Sequence, residues 1–141
     1  MKKALILITA TSIALACWSL IYEPALLKVR HEKSFWRNES VRVAFFSDLH
    51  AGLPHINLNY IEALVQTINQ EHPDLVLIGG DLVINHVIGG TPISFFEVTK
   101  KLSALKSKLG TFVVLGNHDW WNDSTAIKVA LTSVGIRVLE N

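Results

Sequence analysis

Past residue 40 the chain alternates between two kinds of hydrophobic pattern. "VRVAFFSD" (Val41–Asp48) is β-branched and aromatic and predicts a strand. "NYIEALVQTINQEH" follows, with Ile61, Leu64, Val65 and Ile68 at the i, i+3, i+4, i+7 spacing of one helix face. Pro73 ends it, and "DLVLIGGD" is a short unbroken apolar run closed by two glycines, a second strand. "SFFEVTKKLSALKSKLG" restores the helical spacing through Val98, Leu102, Leu105 and Leu109, with its lysines as a solvated face and Gly110 as its stop. "TFVVLGN" is a third apolar strand. "STAIKVALTSVG" is a third helix, capped by Asp123 or Ser124 and stopped by Gly135, and "IRVLEN" opens a fourth strand. The pattern predicts strands at Val41–Ser47, Leu75–Ile78 and Phe112–Leu115, with helices at Asn59–Gln70, Ser94–Lys106 and Ser124–Ser133. Nearly all-apolar strands alternating with helices give an α/β fold of parallel β-α-β units joined by right-handed crossovers.

The N-terminal part follows neither pattern. From Ala4 to Tyr22 nineteen residues carry no charge, behind Lys2 and Lys3. About 20 apolar residues span a bilayer as a helix, so residues 1–22 read as a signal-anchor or transmembrane segment, single-pass at the cell membrane. The two leading lysines favour an N-in orientation with the rest on the extracytoplasmic (periplasmic) side, although Lys28, Arg30, Lys33 and Arg37 soon after the run weaken that bias. A cleaved signal peptide is the competing reading, since Ala14-Leu15-Ala16 has the A-x-A form, but the apolar run continues past it. Residues 23–40 read as a juxtamembrane linker, with an edge strand expected within "ALLKVRHEKSFW". Cys17, the one cysteine, has no intrachain partner for a disulfide. A net charge of +1 without a basic stripe argues against nucleic acid as a partner.

The alternation decides where the polar residues fall. Asp48 and His50 follow the first strand, Gly79-Gly80-Asp81 the second, and Gly116-Asn117-His118-Asp119 the third. In open parallel sheets the carboxyl ends of the strands line the binding crevice, so all three clusters reach one edge. Each alone is a commonplace: "DLH" occurs by chance and "GGD" is an ordinary turn. In order, at the same end of successive strands, they specify a site. Carboxylates, imidazoles and an amide oxygen without a thiolate suit hard or borderline divalent metals. A shared Asp81 has two oxygens with which to bridge two ions about 3.5–4 Å apart, an arrangement that activates water and clamps phosphoryl oxygens.

The set Asp48-x-His50, Gly80-Asp81 and Gly116-Asn117-His118-Asp119 resembles the first three motifs of the calcineurin-like metallophosphoesterases, and "GNHD" is its most specific element. With the leading apolar segment, the chain is most similar to their membrane-anchored bacterial branch, which includes phosphodiesterases. The resemblance covers residues 41–141 and implies the N-terminal part of that domain, half of an αββα sandwich. It implies hydrolysis of a phosphate ester, most readily a phosphodiester that is lipid- or nucleotide-linked, by a hydroxide held on two divalent ions (manganese, iron or zinc). It assigns Asp48 and His50 to the first metal, Asp81 to both and Asn117 to the second. His118 would stabilise the phosphoryl oxygens or protonate the leaving group, and Asp119 would orient His118.

The family adds further histidines downstream, including a Gly-His-x-His motif, and no histidine follows His118 here. The chain therefore reads as a half that holds one ion through Asp48, His50 and Asp81 and takes its remaining ligands from a missing C-terminal half. The alternative is a truncated, inactive remnant, or a metal-binding half that works only beside a partner segment. His31, His55, His72 and His86 match no motif and read as surface or turn residues, His86 least securely because it follows Asp81. Trp120 and Trp121 either border the pocket or pack within a loop.

Overall fold

The computed structural model describes residues 2–33, 41–84 and 89–140. They form two compact units, Met1–Glu32 and Lys33–Asn141. The first is helical throughout its apolar part: helix α1 (Lys2–Cys17) runs on through a π-turn (Trp18–Tyr22) and a 3-10 turn (Glu23–Ala25). This continuous segment, Lys2–Ala25, is long and apolar enough to cross a membrane and buries none of its residues. Residues 26–33 carry no strand, so the expected edge strand is absent there, and the rest of that stretch lies outside the described residues.

The second unit is a four-stranded parallel sheet in the order β1-β2-β3-β4: Val43–Phe46, Leu75–Ile78, Thr111–Val113 and Ile136–Val138. Helix α2 (Leu58–Gln70), helix α3 (Phe95–Leu102) and, after the short helix α4 (Asn117–Trp121), helix α5 (Ser124–Ser133) connect them. Each crossover advances one strand in the same direction. With right-handed connections, that order puts the connecting helices on one face. Burial agrees: Val76, Ile78, Val113 and Ile136 are buried with Ile61, Leu102 and Leu131 of the helices. The alternate positions form the other face, where Phe45 is 69% exposed and Val43 47%.

Local chemistry sets most helix ends. The Asn57 side chain accepts from the amides of Asn59 and Tyr60 and starts α2. Asp123, rather than Ser124, caps α5 by accepting from Ala126 N. Helix α3 departs from its sequence pattern, ending at Leu102, short of Lys106 and well short of Gly110. The cause is Asn69 of α2, whose side chain donates to Ala104 O and accepts from Lys106 N, both at 2.8 Å. That pair captures the backbone which the helix would otherwise use, while Leu105 still packs on the core.

Candidate metal site

Three loops at the carboxyl edge of the sheet meet because the β1–β2 ladder does not stop where the strands stop. Asp48 N donates to Gly80 O, His50 N to Asp81 O and Ala51 N to Leu82 O, and a parallel bridge resumes at Ala51 and Val83. Within this stretch Asp48 (φ 55°), His50 (φ 46°) and Asp81 (φ 53°) all occupy the left-handed region. Non-glycine residues there cost of order 1–3 kcal/mol each and collect at functional sites. Three of the four such residues in the described chain are ones the sequence picks out for metal; the fourth is His72, in an exposed turn.

The β3 loop comes in against them through two glycines. A Cβ on Gly80 would stand 2.4 Å from Gly116 N, and one on Gly116 would stand 2.0 Å from Asp81 Oδ1. This contact lets Asp81 Oδ1 accept from His118 N at 2.9 Å, satisfying one of the free amides at the start of α4. The sequence pattern predicts no helix at "GNHD"; the structure folds its last three residues into α4, which turns His118 back over Asp81.

The result is a tight donor group. His50, Asp81 and His118 each offer one ligand atom, and these atoms lie within 4.8 Å of one another. His50 Nε2 is 3.6 Å from Asp81 Oδ2, too far for a hydrogen bond, and is a buried nitrogen with no partner. The rings of His50 and His118 meet edge to face with centroids 5.0 Å apart. A buried, unpartnered imidazole nitrogen beside a carboxylate is costly unless something fills the gap. A divalent cation fits that donor set of two imidazoles and one carboxylate.

Asp48 and Asn117 lie at the same edge but are exposed, and Asp48 stands outside the three-residue group. Asp119, to which the resemblance gives the task of orienting His118, stands between the two loops. Fully buried, it accepts from Leu82 N through Oδ1 (2.9 Å) and from Gly116 N through Oδ2 (3.0 Å). Both carboxylate oxygens are thus engaged by backbone, fastening the loop after Asp81 to the loop before His118. Burial pushes its carboxyl above the usual range, opposed by hydrogen bonds from the amides of Gly116, Leu82, Val83 and Asp81. The sequence carries no signal for this link, because it joins residues 37 apart. His55 is half-buried in a turn and His31 and His72 are exposed; His86 lies outside the described residues.

The profile of the calcineurin-like phosphoesterase family matches residues 41–136. An uncharacterized metallophosphoesterase of Helicobacter pylori is 30% identical over 74% of the chain, which covers 26% of that protein. Phosphodiesterase YaeI of Escherichia coli is 30% identical over 80% of the chain, which covers 42% of it. A transmembrane protein with metallophosphoesterase domain from Danio rerio is 30% identical over 72% of the chain, which covers 22% of it. The chain thus spans less than half the length of each of these relatives. No solved structure matches the chain significantly.

Proposed function

The chain belongs to the calcineurin-like phosphoesterase family, and from that premise we propose that it is the metal-binding part of a membrane-held phosphoesterase acting on phosphodiesters. The family uses divalent metals. In our reading His50, Asp81 and Asp48 would hold the first ion, and Asp81 and Asn117 would serve a second. A bound ion supplies Lewis-acid polarisation of phosphoryl oxygens and lowers the pKa of water. The chain's own residues do the rest. His118, beside Asp81, donates to the leaving oxygen or holds a phosphoryl oxygen. Asp119 keeps the two loops in register through backbone amides, and the glycine contact brings them close enough to share a substrate. We assign the remaining ligands of the second ion, and a layer covering the open apolar sheet face, to the part of the relatives' length that residues 1–141 do not span. The helix at Lys2–Ala25 holds the unit at a membrane, with residues 41–141 on the extracytoplasmic side.

The observation that carries this reading is the buried, unpartnered His50 Nε2 facing Asp81 and His118. Its test is Mn²⁺ binding by the full chain in lipid nanodiscs. The parent should take up about one ion per chain, and His50→Ala should lose it while keeping its far-UV circular dichroism. Equal uptake by both chains would remove the metal site. Hydrolysis of bis(p-nitrophenyl) phosphate should be weak with residues 1–141 alone and should rise when the downstream segment of a relative is supplied. Strong turnover without that segment would overturn the division of ligands.

A further inference from the structure

Trp121 is 74% exposed, the most of any large hydrophobic side chain in its unit among the described residues. Trp120, its neighbour, has the Lys128 ammonium 4.5 Å over its ring, a contact that ties α4 to α5. Trp121 has a different contact. It follows His118 by three residues on α4, so the two side chains share a helix side. Their rings meet at 4.9 Å between centroids and 75° between planes. The three rings His50, His118 and Trp121 thus run outward from the donor group in sequence, each edge-on to the next. With this contact made, most of the Trp121 side chain stays in water. An exposed indole is a large apolar surface with a preferred stacking geometry, and covering it is favourable.

We propose that Trp121 is a substrate-binding residue, forming an aromatic subsite for the ester group next to the phosphoryl position. It rests on the phosphoesterase reading above. A substrate oxygen that His118 contacts lies beside the indole, because the His118 and Trp121 rings are in contact. A group reaching that surface through a single oxygen is short and flat, such as an aryl or heteroaryl ester. A flexible alkyl chain gains less there, because it pays rotamer entropy for the same covered area. Ring-on-indole stacking is a term of the size that alanine substitution measures as roughly tenfold in affinity.

The full chain in lipid nanodiscs, loaded with Mn²⁺, can be titrated calorimetrically with methyl, butyl and phenyl phosphate. The parent should bind phenyl phosphate roughly tenfold more tightly than the other two. Trp121→Ala should abolish that preference and leave methyl phosphate unchanged, Trp121→Phe should keep most of it, and Trp120→Ala should keep all of it. A preference that survives in Trp121→Ala, or is missing in the parent, overturns the subsite. Butyl phosphate matching phenyl phosphate in the parent and weakening with it in Trp121→Ala would reassign the surface to an alkyl chain. If methyl phosphate fails to bind the metal-loaded parent at all, the phosphoesterase reading itself falls and takes the subsite with it.

Discussion

Strand β2 carries an aspartate just before it and another three residues after it, and the two live in opposite worlds. Asp74, at the amino end, accepts from Lys108 Nζ at 2.6 Å and from Arg42 N at 2.9 Å, and its own backbone is outside the left-handed region. Asp81, at the carboxyl end, has a left-handed backbone, one amide donor and a histidine nitrogen beyond hydrogen-bond reach. It has no lysine or arginine partner among the described residues. One end of the sheet satisfies its carboxylate with cations of its own; the other leaves a carboxylate and two imidazoles facing one another. A fold that spends backbone strain and glycines to assemble an incompletely satisfied group is built around something that the chain itself does not supply.

Four substitutions probe this contrast. The largest effect belongs to Asp81→Asn. Asparagine keeps the oxygen that accepts from His118 N but loses the charge, so Mn²⁺ affinity should fall by about 100-fold or more, beyond what groups outside the first coordination sphere cost. Thermal stability of the metal-free chain should hold or rise, because the lost charge has no cation partner. Calorimetry with Mn²⁺ beside thermal melts measures both. A metal affinity within a factor of about three of the parent's, on the scale of context effects alone, would break the contrast between the two aspartates.

Next is Gly116→Ala. Gly116 has φ −83°, which alanine adopts freely, so only space opposes the change. The new methyl would meet Asp81 Oδ1 and push the two loops apart, costing about 1–3 kcal/mol of stability by urea unfolding and weakening metal uptake as well. Gly135→Ala sharpens the point. It has φ +82° and open space, so its cost of about 1–2 kcal/mol should appear in stability alone. Equal loss of metal uptake in both variants would show that the loop contact has no special part in the site.

The smallest effect is that of Asp74→Asn. The hydrogen bond from Lys108, and then that from Arg42 N, hold the Asp74 carboxyl below its usual 3.8. Its folded value is depressed, so its contribution is present above pH 3.8 and is lost as pH falls through the lowered folded value. Urea midpoints of parent and variant should therefore differ modestly at neutral pH and converge in acid, with metal uptake unchanged throughout. A difference that persists at the acid end would show that Asp74 acts by packing and not by charge.

The sequence by itself determined a good deal. Apolar runs at strand length, helical spacing at Ile61–Ile68 and the stops at Pro73 and Gly135 fixed the order of strands and helices, because burial on a regular backbone leaves a period in the chain. That order, with right-handed crossovers, also placed Asp48, His50, Asp81 and the "GNHD" residues at one edge. Contacts between distant segments were decided only in the tertiary structure. Asn69 stops α3 early through hydrogen bonds to residues about 35 positions away. Asp119 ties two loops by their amides, where the motif alone suggested a hold on His118. Asp48 and Asn117 stay exposed, while His118 joins the donor group because α4 turns it inward. Periodicity is a local property and is written along the chain. The partner of a hydrogen-bonding side chain is chosen by whatever folding brings within 3 Å, and a linear sequence carries no distance.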